Sequence, residues 1–258
     1  MSALRVIHDD AELVAVNKPA GLLVHRSAID ARETRFAVQL LRDQLGKLVY
    51  PVHRLDRPTS GVLLFALCKE AARRLADSFA AGGMSKTYVA VVRGWLPDHG
   101  DIDYPLTEEP AFRSAPGPRP VPQPARTSFD RLATAEMPWP CPGHPSSRYC
   151  LVAVRPHTGR MHQIRRHLKH VFHPVIGDVR HGDGLHNRHF RTQLGSTRLL
   201  LHASELSFQH PSTGQRLTLR APVGDDFLRV VDALGWSEWL PGGLVAQRLP
   251  PSNIGGGP

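Results

Sequence analysis

The sequence predicts an α+β fold (α/β mixed), because strand and helix patterns follow one another along the chain. Residues 62–67 form an apolar run typical of a buried strand, and the β-branched run at 86–94 indicates a second strand. Between them, residues 69–80 have helical spacing, with Leu75 and Phe79 one turn apart and Gly82-Gly83 after the end. At 258 residues the chain can hold one large domain or two small ones around a substantial core.

The N-terminal part is predicted to contain a β-hairpin followed by a helix. Residues 12–16 and 22–25 are apolar runs, and the Asn, Pro and Gly of the segment 17–21 between them are typical of a turn. Residues 33–45 have apolar side chains at helical spacing on one face. No run approaches the roughly 20 apolar residues of a membrane helix, and the acidic start of the chain predicts no secretory signal.

The C-terminal half gives four further predictions. Residues 149–155 alternate as a strand, and residues 160–170 form a basic helix whose apolar side chains face the core. A hairpin is expected between 206–208 and 217–219, turned at 210–214, and a helix over 226–234.

Two segments are rich in proline or glycine. Residues 97–147 hold clustered prolines, which exclude long helices and central strands. We expect an excursion of loops with one short strand at 125–132, inside a single domain spanning residues 1–236. Residues 237–258 are expected to form a Gly/Pro-rich C-terminal tail, disordered from about 241.

Charge and cysteine content limit the class of partner and compartment. The formal charge is +9, and basic residues dominate the segment 157–202, a balance that favours nucleic acid over a merely basic surface. The three cysteines, Cys68, Cys141 and Cys150, form neither a disulfide framework nor a C-x-x-C pair, so a cytoplasmic location is expected. Cys68, at the end of a core strand, is predicted to be buried.

A short polar loop, His53-Arg54-Leu55-Asp56-Arg57-Pro58-Thr59-Ser60-Gly61, precedes the first core strand. Its carboxylate, Asp56, stands between Arg54 and Arg57, which favour the charged form. Pro58 and Gly61 restrict the turn. A lone aspartate in a basic loop is more often a turn residue than a catalytic one, so the loop alone does not decide its role.

The pattern His-Arg-Leu-Asp-x-x-Thr-Ser-Gly before an apolar strand resembles the signature of the large ribosomal/tRNA pseudouridine synthase family, whose uridine-dependent branch uses one catalytic aspartate. A second block, Thr-Gly-Arg-x-His-Gln-Ile-Arg-x-His at 158–167 with Pro-Val-Ile-Gly-Asp at 174–178, also resembles the family. Lys-Pro-x-Gly at 18–21 and Lys-x-Tyr-x-Ala at 86–90 agree. The resemblance covers about residues 4–222. It implies one catalytic domain with a mixed, mostly antiparallel sheet flanked by helices.

The resemblance also implies roles for particular residues. Asp56 is the catalytic carboxylate, Arg165 its ion-pair partner and Tyr88 the ring that stacks on the target base. Ile164 belongs to the apolar wall, and Arg54 either fills the space that the flipped base vacates or contacts a phosphate. The other residues predicted to bind RNA or the base are His53, Arg57, Lys18, Arg160 and His162.

The implied reaction is the isomerisation of uridine to pseudouridine in RNA, without a cofactor or a metal. A metal site built from His157, His162, His167 and His170 is disfavoured, because steps of five residues separate most of them around a helix and nearby arginines repel a dication.

The resemblance is greatest to the members that modify uridine 65 in the T-stem of certain tRNAs. The alternatives are the same chemistry on ribosomal RNA, or a basic RNA-binding protein that has lost activity. A monomer without membrane contact is expected.

Overall fold

The computed structural model describes residues 3–26, 33–107 and 121–244. Within these ranges one sheet contains ten strands: β1 (Arg5–Asp9), β2 (Leu13–Lys18), β3 (Tyr50–Pro51), β4 (Ser60–Ala66), β5 (Ser85–Arg93), β6 (His99–Asp103), β7 (Arg126–Met137), β8 (Ser147–Pro156), β9 (Leu201–Gln209) and β10 (Arg216–Arg220). The helices are α1 (Ala37–Leu45), α2 (Lys69–Ala80), α3 (Gln163–His170), α4 (Gly184–Leu194) and α5 (Asp225–Ala233).

The sheet is mixed and mostly antiparallel, as predicted. Its strands follow the order β1-β2-β4-β9-β5-β8-β7-β6, with β10 paired to β9 and β3 to β4. The pair β4–β9 is parallel, with Ser60 opposite His202, whereas the other paired strands run antiparallel. The loop before β4 therefore enters the sheet at the same edge as the start of β9.

Both faces of the central strands are covered. Alternate residues of β5 and β8 pack on α5 on one side and on α3 on the other, where Ile164 and Leu168 are buried. Strand β4 is buried along its whole length. Burial on two faces explains why these strands appear in the sequence as continuous apolar runs rather than as alternating patterns.

The predicted N-terminal hairpin is wrong. Strand β2 pairs with β1, which precedes it, and with β4, whereas Leu23 makes an isolated bridge to Phe36. The segment after β2 turns around the ammonium of Lys18, which bonds to the carbonyl oxygens of Pro19 and Leu22. These hydrogen bonds curve residues 19–22 around the Lys18 ammonium, so residues 22–25 do not pair with β2.

The proline-rich excursion contains more sheet than predicted. Strand β7 has 12 residues and lies between β6 and β8, because the prolines fall at 124, 138 and 140, outside the strand. Part of the excursion, 108–120, lies outside the described residues. Helix α4 was not predicted, since its apolar residues are few.

The packed chain continues beyond residue 236, where the tail was expected to begin. Ser237–Trp239 form a 3-10 helix, and Leu240 and Leu244 are buried against α5 and β5. The remainder of the predicted tail, 245–258, lies outside the described residues. Cys68 is exposed, contrary to prediction. It lies immediately before α2 as its N-cap residue, and its Sγ accepts a hydrogen bond from the Ala71 amide. In the described ranges, no helix is long and apolar enough to span a membrane.

Candidate active site

A cleft of about 420 Å³ opens at the edge of the sheet where β4 and β9 begin. Four parts of the fold form it: the loop before β4, helix α2, strand β5 and the connection from β8 into α3. The lining residues named below are His53, Arg54, Leu55, Asp56, Phe79, Lys86, Tyr88, Arg160, His162, Ile164, Arg165 and Leu201.

The loop that carries Asp56 is held in place by contacts with the protein core. Leu55 is buried in the core, and the Thr59 amide donates to the Asp56 carbonyl to close the turn. At Gly61 the backbone has φ +116°, and a Cβ there would lie 2.1 Å from the Ala203 carbonyl oxygen. Only glycine allows β4 to approach β9 so closely, and this contact fixes the loop at the floor of the cleft.

Arg165 is the main electrostatic partner of Asp56. Its Nη1 donates to Asp56 Oδ2 at 3.1 Å, while Nε and Nη2 donate to the two oxygens of Asp178 at 2.7 and 2.8 Å. Burial opposes the charge of Arg165, but the contacts with Asp178 and then Asp56 outweigh it and raise the pKa. The guanidinium thus stays charged and fixed, since two-point contacts with a carboxylate are geometrically specific.

A second side chain, that of His162, lies near the same carboxylate. Its Nε2 lies 4.0 Å from Asp56 Oδ2, and its Nδ1 lies 3.1 Å from His181 Nε2. His162 has a left-handed backbone conformation, φ 54° and ψ 25°, immediately before α3. Such a conformation is unfavourable for a residue with a Cβ, and here it turns the imidazole toward the cleft.

Apolar side chains surround the carboxylate. Ile164 and Leu201 are buried and line the cleft, and the half-buried Tyr88 projects into it from β5. Burial, together with the nearby Asp56, raises the pKa of the Tyr88 phenol, which therefore remains neutral. The site combines one carboxylate with a flat aromatic ring and an aliphatic wall, an arrangement suited to a planar base.

Arg54 and Arg160 lie at the rim. Both are exposed and line the cleft. Arg160 Nε donates to the Pro124 carbonyl, which ties the rim to the start of β7. Arg54 thus lies at the cleft, and its role toward the base or a phosphate stays a prediction.

Two residues predicted to contact RNA, Lys18 and Arg57, bind protein groups. Lys18 is 0% exposed, and its Nζ donates to the carbonyls of Pro19, Leu22 and Arg57, so it supports the Asp56 loop from behind. Arg57 donates to Glu33 and to the Gly21 carbonyl. At Asp56 Oδ2 the structure places Arg165 Nη1 at 3.1 Å and His162 Nε2 at 4.0 Å.

His53 also has a supporting role. Its Nε2 accepts a hydrogen bond from the Leu64 amide at 3.2 Å, and its ring stacks on Phe79 with centroids 5.6 Å apart. Burial lowers the pKa of His53 to about 4, so the ring is neutral. It shapes the wall of the cleft and anchors the neighbouring Arg54 backbone.

The sequence analysis did not identify two residues, Asp178 and His181, that contact the residues around Asp56. Asp178 holds Arg165, and its Oδ1 also accepts from the amides of Arg180 and His181. His181 in turn contacts His162. Asp178 had been noted only as part of the Pro-Val-Ile-Gly-Asp block; the positive φ of +79° at Gly177 is the local signal of a fixed loop there.

The histidines considered as metal ligands bind protein groups. His167 lies within 2.9 Å of Thr127 Oγ1 and of the Tyr104 carbonyl, and His170 stacks on Tyr104 with centroids 3.6 Å apart. His157 contacts Ser128. Among the described residues, no three His, Cys, Asp or Glu side chains are grouped to hold a metal ion.

Residues 12–170 match the family model described as RNA pseudouridylate synthase. The chain belongs to the RNA pseudouridylate synthase family. The match includes the Asp56 loop, β5 with Tyr88 and α3 with Arg165, so the three predicted catalytic residues lie within the family region. This protein is therefore an RNA pseudouridine synthase.

Individual relatives agree with the family. The chain is 48% identical over 240 residues to tRNA pseudouridine synthase C of Vibrio parahaemolyticus, covering 92% of this chain and 97% of the relative. It is 49% identical over 236 residues to the protein of the same name from Pasteurella multocida, covering 90% and 97%. The solved structure of human RNA Pseudouridylate Synthase Domain Containing 4 is similar with a TM-score of 0.67 at 26% identity, covering 90% of this chain and 93% of that one.

Proposed function

We propose that this synthase isomerises a uridine of tRNA to pseudouridine, with Asp56 as the catalytic carboxylate. The observation that carries the proposal is the placement of Asp56 in the cleft, 23% exposed, against a buried Arg165 whose other donors are occupied by Asp178. An ionised carboxylate that is oriented by one fixed cation, yet reachable from the cleft, suits attack on a substrate carbon or removal of a proton.

The target uridine enters the cleft only after it has been flipped out of its helix, which costs about a few kcal/mol. Tyr88 then stacks on the base, Ile164 and Leu201 exclude water from it, and Arg54 fills the vacated space. Asp56 either attacks C1′ and displaces N1 of the base, or takes the proton from C2′ as N1 leaves and a glycal forms. The released uracil anion rotates, and C5 bonds to C1′ as the carboxylate leaves C1′ or returns its proton to C2′. C5 then loses its proton and N1 gains one, which completes the isomerisation. Exclusion of water protects the intermediate from hydrolysis.

The tRNA substrate is supported by the two relatives named tRNA pseudouridine synthase C, which align with this chain over nearly their whole length. Within tRNA we propose uridine 65 of the T-stem, on the resemblance of the Asp56 and Arg165 blocks to the enzymes that modify it. The same substrate supports a cytoplasmic location. Arg54, Arg160 and His162 are the proposed RNA contacts at the cleft.

We also propose that residues 1–236 and the segment packed after them form one catalytic domain that acts as a monomer without a cofactor. The continuous sheet through all described strands supports a single domain.

Pseudouridine mapping of total RNA at single-nucleotide resolution, with and without the gene, tests the substrate. We expect one T-stem site to be lost in a few tRNAs and to return when the wild-type gene, but not the Asp56→Asn gene, is restored. Loss of a ribosomal site instead would show that the substrate is ribosomal RNA, and the proposed chemistry would stand. An unchanged map would favour a binding protein without activity.

A further inference from the structure

Burial lowers the pKa of two lysines at the active site, but the two differ in their hydrogen-bond partners. Lys18 is fully buried, and its ammonium donates to three backbone carbonyls. Lys86 is half-buried and lines the cleft, and among the described residues its recorded contact is the ring of Phe79, with Nζ 5.0 Å from the centroid. A desolvated cation is costly without a partner, so the two lysines need different explanations.

Among the described residues, no acidic side chain offsets the charge of Lys86. Burial alone lowers the pKa of its ammonium, with no acidic side chain acting in the opposite direction. The cation–π contact with Phe79 compensates only partly for removing the ammonium from water. The cleft thus holds a positive charge that a bound anion would stabilise.

The position of Lys86 is fixed. Phe79 contacts both the ammonium and the ring of His53, and His53 Nε2 accepts a hydrogen bond from the backbone of β4. Lys86 also precedes Tyr88 by two residues on β5, so the two side chains share a face and their Cα atoms are about 7 Å apart. That spacing is within reach of the sugar–phosphate chain beside a base stacked on Tyr88.

We propose that Lys86 binds a backbone phosphate of the substrate RNA immediately beside the flipped uridine. The proposal rests on the proposed function, since it takes the base on Tyr88 to be the target uridine. Phosphate is the anion that RNA offers at this distance, and a lysine binds it as a point charge. Lys86 would hold the RNA strand against the α2 side of the cleft while Arg54 occupies the rim.

Binding to an RNA hairpin that contains the target uridine tests this contact. We would replace single phosphates around the uridine by neutral methylphosphonates and measure the Kd and the single-turnover rate. The proteins are wild type, Lys86→Met, Lys86→Arg and Lys47→Met, the last a matched control at an exposed lysine outside the cleft. Lys86→Met removes the charge and keeps an unbranched side chain of similar size.

We expect Lys86→Met to weaken binding of unmodified RNA about 5- to 10-fold and to reduce the slope of log K against log salt by about 0.7–0.9. One methylphosphonate should weaken wild-type binding by a similar factor and have no further effect on Lys86→Met. Lys86→Arg should retain binding, and Lys47→Met should behave as wild type.

The proposal would be overturned if each methylphosphonate weakened RNA binding by Lys86→Met as much as it weakens binding by wild type. It would also be overturned if Lys86→Met had the same slope of log K against log salt as wild type. The phosphate scan measures binding, whereas the proposed function is judged by pseudouridine formation with wild type. Failure of one is therefore distinguishable from failure of the other. A thermal unfolding midpoint for Lys86→Met equal to that of wild type excludes misfolding as the cause.

Discussion

Arg165 reaches Asp56 with one guanidinium nitrogen, Nη1, at 3.1 Å, although the two residues are 109 positions apart in the chain. The other two nitrogens are held by Asp178. Arg165 is only 5% exposed, whereas Asp56 is 23% exposed. The arginine is therefore fixed by the protein interior, and the carboxylate keeps one side open to the substrate.

Replacing Asp56 by Asn removes the charge and nucleophilicity at nearly constant shape. We expect pseudouridine formation to fall at least about 10⁴-fold, as when a catalytic nucleophile is lost. The Kd for RNA should remain within a few-fold of wild type, because one charge is small beside the formal +9 of the chain. Single-turnover kinetics and a binding titration measure the two quantities. Asp43→Asn, at an exposed position, is the control, and retained activity in Asp56→Asn would remove the mechanism.

Arg165→Lys keeps the charge but loses the planar donor set. An ammonium cannot bond to both oxygens of Asp178 and reach Asp56 as well. We expect kcat to fall about 10²- to 10³-fold and the free energy of unfolding to fall by about 3 kcal/mol, because the buried Asp178 loses its two-point partner. Activity assays and urea unfolding provide the test. The neighbouring Arg166→Lys should show neither change; similar losses in both variants would argue against a specific role.

Asp178→Asn leaves Arg165 without its buried counter-ion. Burial tends to raise the pKa of Asp178, but the bonds from Arg165 and the backbone amides outweigh it and hold the pKa below 3.8. Because the folded pKa is the lower one, this carboxylate stabilises the fold above about pH 4, and the stabilisation is lost as the pH falls further. We expect a loss of about 1.5–3 kcal/mol at pH 7.

The difference in unfolding free energy between wild type and Asp178→Asn should shrink below pH 4. Urea unfolding across pH 3–7 measures it, and kcat should fall more than KM rises. A constant difference over this range would show that the charge of Asp178 does not matter.

His202 makes stability depend on pH in a different window. Its Nε2 donates to the Ala221 carbonyl and its Nδ1 accepts from Ser60, which itself accepts from Arg198. Burial lowers the pKa of His202 from 6.5 to about 4. The unfolded chain therefore binds the proton first, so stability is full above about pH 6.5 and is lost as the pH falls toward 4.

The loss from His202 should be on the order of 2–3 kcal/mol. Unfolding of His202→Gln between pH 7 and 4 should show a smaller decline than wild type. The exposed His144→Gln serves as control and should decline as wild type does. Parallel curves for wild type and His202→Gln would contradict this assignment.

The sequence by itself predicted several core strands and helices and the candidate reacting groups. Helix α2 and strands β4, β5 and β8 were predictable because long apolar runs and helical spacing report burial directly. Asp56, Tyr88 and Arg165 were predictable because each lies in a motif that resembles the family. The structure brings all three to one cleft.

The tertiary structure decided which charges are paired. Lys18, which was predicted to bind RNA, is buried and donates to three backbone carbonyls, whereas Lys86 lines the cleft. Lys18 ends β2 and Lys86 lies near the start of β5, and neither local sequence shows which lysine is enclosed by carbonyl groups. Likewise, Asp178 and His181 acquire their roles from contacts with α3 and its start. The energy of a charge depends on its burial and on partners far away in the chain, and only the fold brings those together.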